Sequence, residues 1–326
     1  MKDGYGRKIT YLRLSVTDRC NLRCVYCMPE CGVPSKGHDA ILTYEEMERL
    51  VRIAVQSGIE RVRVTGGEPL VRLGLLGFLA RLKAIPGLRD LSLSTNAILL
   101  PGLARDLKDA GVDRVNISLD TLRPERFKEI VRRDLHPEVM RGLEAALEAG
   151  LDPVKVNCVA IRDFNDDEFE DFARLTIERP LHVRFIELMP LGESHPWSAE
   201  HFIQASEVRE AIARRWKLVP AATVEGGGPA RYFRIPGAAG TLGFITSMSE
   251  HFCSECNRLR LSAEGKINPC LGSLLETDLR TPLRSGASDA ELQAIFLKAV
   301  GMKPREHQME YLTEDTRARR MSAIGG

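Results

Sequence analysis

Along the first two thirds of the chain, short apolar or β-rich runs alternate with longer stretches whose apolar residues recur at helical spacing. The runs fall at Tyr11–Val16, Arg61–Val64, Asp90–Ser94, Arg114–Ser118, Val154–Val159 and His182–Glu187. The helical stretches fall at Tyr44–Ser57, Leu73–Ile85, Gly102–Ala110, Pro124–Arg132 with Pro137–Ala149, and Asp166–Ile177. Thr43 followed by Glu46 reads as a capping box. Gly58, Gly111 and Gly150 stand just past helix ends, where a left-handed residue is wanted. Such alternation predicts a parallel sheet with crossover helices. Six units are too few for an eight-fold barrel, which leaves a partial barrel or an open sheet. Either architecture puts the site at the C-terminal strand ends. There the cysteines follow strand 1, TGGEP follows strand 2, STN ends strand 3, SLD ends strand 4 and ELMP ends strand 6.

The pattern changes after about Pro220. EGGGPARYFRIPGAAGTLGF reads as loops between short strands. A second group of cysteines, a helix near Asp289–Ala299 and a polar tail ending in IGG follow. The expected organisation is a barrel over 1–220 and a smaller α+β region over 221–326.

Composition narrows the function. A net charge of +1 over 326 residues gives no argument for nucleic acid or an anionic membrane. No apolar run approaches the roughly 20 residues of a spanning helix, and Met1–Arg7 has no signal-peptide core, so a cytoplasmic location is expected. The eight cysteines are unevenly placed, four between 20 and 31 and three between 253 and 270, with Cys158 alone. Clustered cysteines in a reducing compartment point to metal or redox chemistry.

Cys20, Cys24 and Cys27 are compactly spaced, which favours several thiolates around one iron-sulfur cubane. Cys31 either completes a four-cysteine electron-transfer site or stands outside a triad that leaves one iron open. The Gly-Gly-Glu-Pro loop and the polar strand ends favour the open triad, because they are groups for holding a polar small molecule. Cys253, Cys256 and Cys270 fit a zinc site completed by His251 on local spacing alone. Arg258 and Arg260 alternate on a strand beside them and suit a polyanion.

The triad with Tyr26 before its last cysteine resembles the radical S-adenosylmethionine (SAM) superfamily signature, and VTGGEP resembles that superfamily's SAM-amino-group motif. The resemblance implies a partial (β/α)6 barrel of the TIM type and SAM chelating an open iron. Several motifs together span nearly the whole chain: YLRLSVTDRCN, VRVTGGEP, NISLDTL, VKVN, RFIELMPLG, ITSMSEHFCSECNRLRLSAEGKINPCL and the terminal IGG. They resemble the GTP 3′,8-cyclase family, molybdenum cofactor biosynthesis protein A. That resemblance implies a [4Fe–4S] cluster on each triad. It implies SAM contacts at Tyr26, Gly67, Ser118 and Met189. It implies GTP contacts at Arg13, Arg63, Ser94, Lys155, Arg258 and Arg260. Arg13, Arg258 and Arg260 would act in catalysis, assisted by a tail ending in Gly325 and Gly326. Arg317, Arg319 and Arg320 would anchor that tail or remain solvated. One departure is Ala97, where the family usually has glycine.

The implied reaction abstracts the ribose 3′ hydrogen of GTP and joins C3′ to guanine C8. It opens molybdenum cofactor biosynthesis. A downstream cyclic pyranopterin monophosphate synthase and an electron donor such as a flavodoxin or ferredoxin are the implied partners, and a homodimer is compatible with the sequence. Two other readings remain at this point: a radical SAM peptide-modifying enzyme, and a non-catalytic electron carrier or zinc scaffold that would need Cys31 as a ligand.

Overall fold

The computed structural model describes residues 1–34, 36–194 and 198–309. In chain order the elements are β1 Tyr11–Ser15, α1 Tyr44–Gln56, β2 Arg61–Thr65, α2 Leu75–Lys83, β3 Asp90–Thr95, α3 Ala104–Asp109, β4 Arg114–Ser118, α4 Pro124–Val131, α5 His136–Glu148, β5 Val154–Ala160, α6 Phe169–Glu178, β6 Leu181–Glu187, α7 Ala205–Ala213, β7 Val219–Pro220, β8 Arg231–Arg234, β9 Thr241–Ile245, β10 Arg258–Leu261, β11 Lys266–Asn268, β12 Thr277–Asp278, α8 Arg280–Arg284 and α9 Asp289–Gly301. Thr43 and Glu46 form the expected capping box on α1. Gly58, Gly111 and Gly150 all take positive φ. Three helices, α2, α3 and α6, start later than the sequence pattern indicates. α2 waits for Gly74, which is left-handed at its N-cap, and α6 follows a turn in which Glu168 N–H donates to Asn165 O.

One sheet runs β12-β11-β10-β1-β2-β3-β4-β5-β6-β9-β8-β7. β1 to β6 are the six parallel strands of a partial barrel. Among the described residues, those beyond 220 form no sheet of their own. β9 adds in parallel to β6 and β10 adds in parallel to β1, extending both edges of the barrel. The glycine-rich stretch does hold short strands, β8 and β9, and β9 is a parallel one. Its Gly243 lets Arg184 and Tyr232 approach, since a Cβ there would come within 2.9 Å of both side chains. Among the described residues no helix is long and apolar enough to cross a membrane.

The barrel strands alternate with period two. Leu12, Leu14, Val62, Val64, Leu91, Leu93, Val115, Ile117, Val156, Val183 and Phe185 are fully buried in the main core. The intervening residues face the barrel interior and are polar. Arg260, Arg13, Arg63, Ser92 and Arg114 pair in register across five neighbouring strands. Small barrels usually fill this space with branched aliphatic side chains. A polar interior signals a cavity built for a polar guest.

Candidate active site

The loop after β1 is fixed by the loop after β2. Gly67 N–H donates to Thr17 O at 2.7 Å and Glu68 N–H to Arg19 O at 2.8 Å. A Cβ on Gly67 would lie 2.3 Å from Arg19 O, and one on Gly66 would lie 2.6 Å from Thr17 O. Both glycines are thus required by close loop contact, and the chain they hold runs straight into Cys20. Glu68 is buried, and its carboxylate accepts from Thr95 Oγ1 at 2.8 Å, Asn96 N at 2.7 Å and Leu70 N at 3.1 Å. Burial still pushes its carboxyl up to about 7. Its role is to lock the β2 loop onto the end of β3. Next to that lock Ala97 adopts φ 66°, a conformation glycine takes freely and alanine holds at a cost of about 1 kcal/mol.

Cys20, Cys24 and Cys27 are half-buried, in no disulfide and on the cavity wall, whereas Cys31 is exposed and off it. Burial raises Cys20 to about 11, and it pushes Cys24 up as well, where Cys27 and Asp120 add repulsion. Clustered thiols are costly as bare thiolates, and three of them suit a cubane in which each holds a different iron. Tyr26 Oη donates to Asp120 Oδ2 at 2.6 Å, and Asp120 Oδ1 accepts from Val159 N at 2.9 Å. Asn96 Nδ2 reaches Asn21 Oδ1 at 2.7 Å beside Cys20.

The cavity encloses about 300 Å³. Its wall brings together Arg13, Tyr26, Arg63, Gly67, Ser94, Ser118, Met189, Arg258 and Arg260, all expected from the sequence, with the first triad. Burial, and then Arg260 and Arg63, hold Arg13 well below the usual guanidinium range. Lys155 is buried behind this wall rather than on it, donating to Glu225 O. Burial and the neighbouring Arg184, Arg114 and Arg63 lower it to about 6. Three lining residues keep a buried polar atom without a protein partner, at Tyr11 Oη, Asn157 Oδ1 and Arg184 Nε. Orphaned buried donors and acceptors of this kind are expected where a polar ligand completes the network.

The second triad flanks the cavity. Phe252 and Leu271, neighbours of Cys253 and Cys270, line it, but the three half-buried thiols do not. Burial pushes Cys256 up, yet Arg258 and Lys303 outweigh it and bring the thiol down to about 7. Among the described residues no three His, Cys, Asp or Glu side chains converge on one ion position. A cubane, whose thiolates each hold a different iron, does not require that they do. Gly325, Gly326 and the three tail arginines lie outside the described residues.

Sequence reading overlooked Asp120, Arg184 and Asn157 as individual wall residues, and Arg7, Lys303 and His307 around the second triad. The SLD motif at a strand end pointed to Asp120. Asn157 ends the VKVN motif and Arg184 begins RFIELMPLG, whereas Arg7, Lys303 and His307 carried no local signal. Glu187 of ELMP is a latch, accepting from the backbone N–H groups of Ala205, Met248 and Ser249.

A Radical SAM superfamily model matches residues 14–176, and a Molybdenum Cofactor Synthesis C model matches residues 181–309. A protein of Pelotomaculum thermopropionicum named GTP 3′,8-cyclase is 56% identical over 328 residues, covering 100% of both chains. The chain belongs to the GTP 3′,8-cyclase family. Members of the same name from Heliobacterium modesticaldum and Moorella thermoacetica are 54% and 53% identical, again over 100% of both chains. Among solved structures, Streptococcus suis SuiB bound to S-adenosylmethionine matches with a TM-score of 0.57 at 15% identity. That match covers 84% of this chain and 64% of SuiB, and it establishes a shared fold. The cyclase family's two matched regions meet between residues 176 and 181, ahead of β6.

Proposed function

We propose that this chain is a GTP 3′,8-cyclase that joins C3′ of GTP to C8 of its guanine, the opening step of molybdenum cofactor biosynthesis. The observation that carries the reading is one cavity whose wall holds a cysteine triad together with Arg13, Arg63, Arg258 and Arg260. A thiol cluster and a set of guanidiniums on one wall suit two different ligands.

Cys20, Cys24 and Cys27 fit a [4Fe–4S] cluster with one iron open. When bound, that cluster and SAM supply a reductively generated 5′-deoxyadenosyl radical that removes a hydrogen atom. Tyr26, Gly67, Ser118 and Met189 would bind and orient SAM, a role supported by their shared place on the cavity wall. The Gly66–Gly67 contact with Thr17 and Arg19 holds the cysteine loop at the barrel mouth. Arg13, Arg63, Arg258, Arg260 and Lys155 would bind a triphosphate of about four negative charges, where guanidinium pairs are strong. Ser94 supplies a hydroxyl between the two ligand regions. Repulsion among the cations is the state that the triphosphate relieves.

Cys253, Cys256 and Cys270 would hold a second [4Fe–4S] cluster that receives the guanine end of GTP, with Arg258 linking that cluster to the cation row. Gly325 and Gly326 would enter the cavity and act on substrate. The product passes to a cyclic pyranopterin monophosphate synthase, and a flavodoxin or ferredoxin would supply electrons. The test is anaerobic reconstitution followed by incubation with reductant, SAM and GTP. The expected result is about eight irons per chain and SAM cleavage that depends on GTP. Cleavage indifferent to GTP would sink the assignment.

A further inference from the structure

Lys303 follows α9 and is 3% exposed. Its ammonium donates to Arg258 O at 2.9 Å and Pro269 O at 2.7 Å. Those carbonyls lie two residues after Cys256 and one before Cys270, so Lys303 clasps the two arms that carry the second triad. It also makes a side-chain hydrogen bond with the Cys256 thiol. Among the described residues no carboxylate pairs with it. A buried ammonium served only by two carbonyls is expensive unless an anion stands beside it. Three thiolates around a four-iron core form such an anion.

The surrounding segment repeats the theme. Arg7, ion-paired with Asp3, donates to the carbonyls of Cys253, Pro304 and Arg305. The His307 backbone N–H bonds Cys253. The stretch 303–307 is therefore an outer shell wrapped on the triad, and Lys303 is its charged, innermost member.

We propose that Lys303 is a positioning residue that balances the negative charge of the cluster on Cys253, Cys256 and Cys270 and sets its reduction potential. The inference rests on the reading that this triad holds a four-iron cluster. Donors and charges next to ligating sulfurs stabilise the more reduced, more negative state.

The test uses the full chain with Cys20, Cys24 and Cys27 changed to serine, so that only the second cluster gives a signal. About four irons per chain should remain; none remaining would overturn the cluster reading and the inference with it. In that background, Lys303→Met and Lys303→Arg are compared by iron count and by an EPR-monitored redox titration. Lys303→Met should shift the midpoint to more negative potential, and Lys303→Arg should return it towards the parent value. Loss of the cluster in Lys303→Met with retention in Lys303→Arg supports the same charge role. An unmoved potential at full occupancy, or equal loss in both variants, overturns it while leaving the cluster reading intact.

Discussion

Tyr26 Oη and Asp120 Oδ2 lie 2.6 Å apart, which ties the cysteine loop to the end of β4. Asp120 also accepts from Val159 N on β5. One carboxylate therefore sets the distance between the loop that carries Cys27 and two strands of the barrel wall. Asp120→Ala leaves the tyrosine hydroxyl and the Val159 amide without their partner, each worth about 1–3 kcal/mol when buried. The expected outcome is SAM affinity lowered on the order of 10-fold with GTP affinity unchanged, read by equilibrium binding of each ligand.

Gly67→Ala should separate the two loops that hold the first triad. Its new Cβ would meet Arg19 O at 2.3 Å, so two backbone hydrogen bonds must break. Iron per chain should fall from about eight to about four, with the second cluster retained. Cys31→Ser, by contrast, should keep the full count, because Cys31 is exposed and away from the cavity wall.

Much of this arrangement was legible in the sequence. Helix caps at Thr43 and Gly58, six strand runs and their C-terminal ends located the cysteine loop, TGGEP and the arginines before any coordinates. The parallel pairing of β9 with β6 and of β10 with β1 was not. Gly243 breaks the apolar run of β9, and its pairing with β6 is a contact between distant stretches of chain. Glu68 looked like a ligand group because it sits between glycines and proline. It is consumed by Thr95 and Asn96, partners 27 and 28 residues away. Lys303 was invisible for the same reason, since only the fold brings it to Cys256.

Arg13→Met should separate stability from function. Burial and the facing Arg260 and Arg63 make the charge unfavourable in the ligand-free protein. A neutral side chain of similar length should stabilise that state by roughly 1 kcal/mol, read from the denaturant midpoint. GTP affinity should fall on the order of 100-fold, and the salt dependence of binding should weaken.

Lys155 gives a pH signature. The fold lowers it from an ordinary 10.5 to about 6. Between those values the unfolded chain holds a proton that the folded chain lacks, so this group makes stability rise with pH across that window. Lys155→Met should flatten that rise. A bound triphosphate favours the ammonium, so GTP binding near pH 8 should take up about one proton. Calorimetry in two buffers of different ionisation heat measures it, and Lys155→Met should abolish the uptake.

The central claim is that the cavity presents the ribose of GTP to chemistry generated at the first triad. GTP carrying deuterium at C3′ tests it most directly. Reconstituted protein, reductant, SAM and this substrate should yield 5′-deoxyadenosine that has gained the deuterium, together with the C3′–C8 cyclised nucleotide, both read by mass spectrometry. Unlabelled 5′-deoxyadenosine formed alongside unchanged, fully labelled GTP would contradict the account.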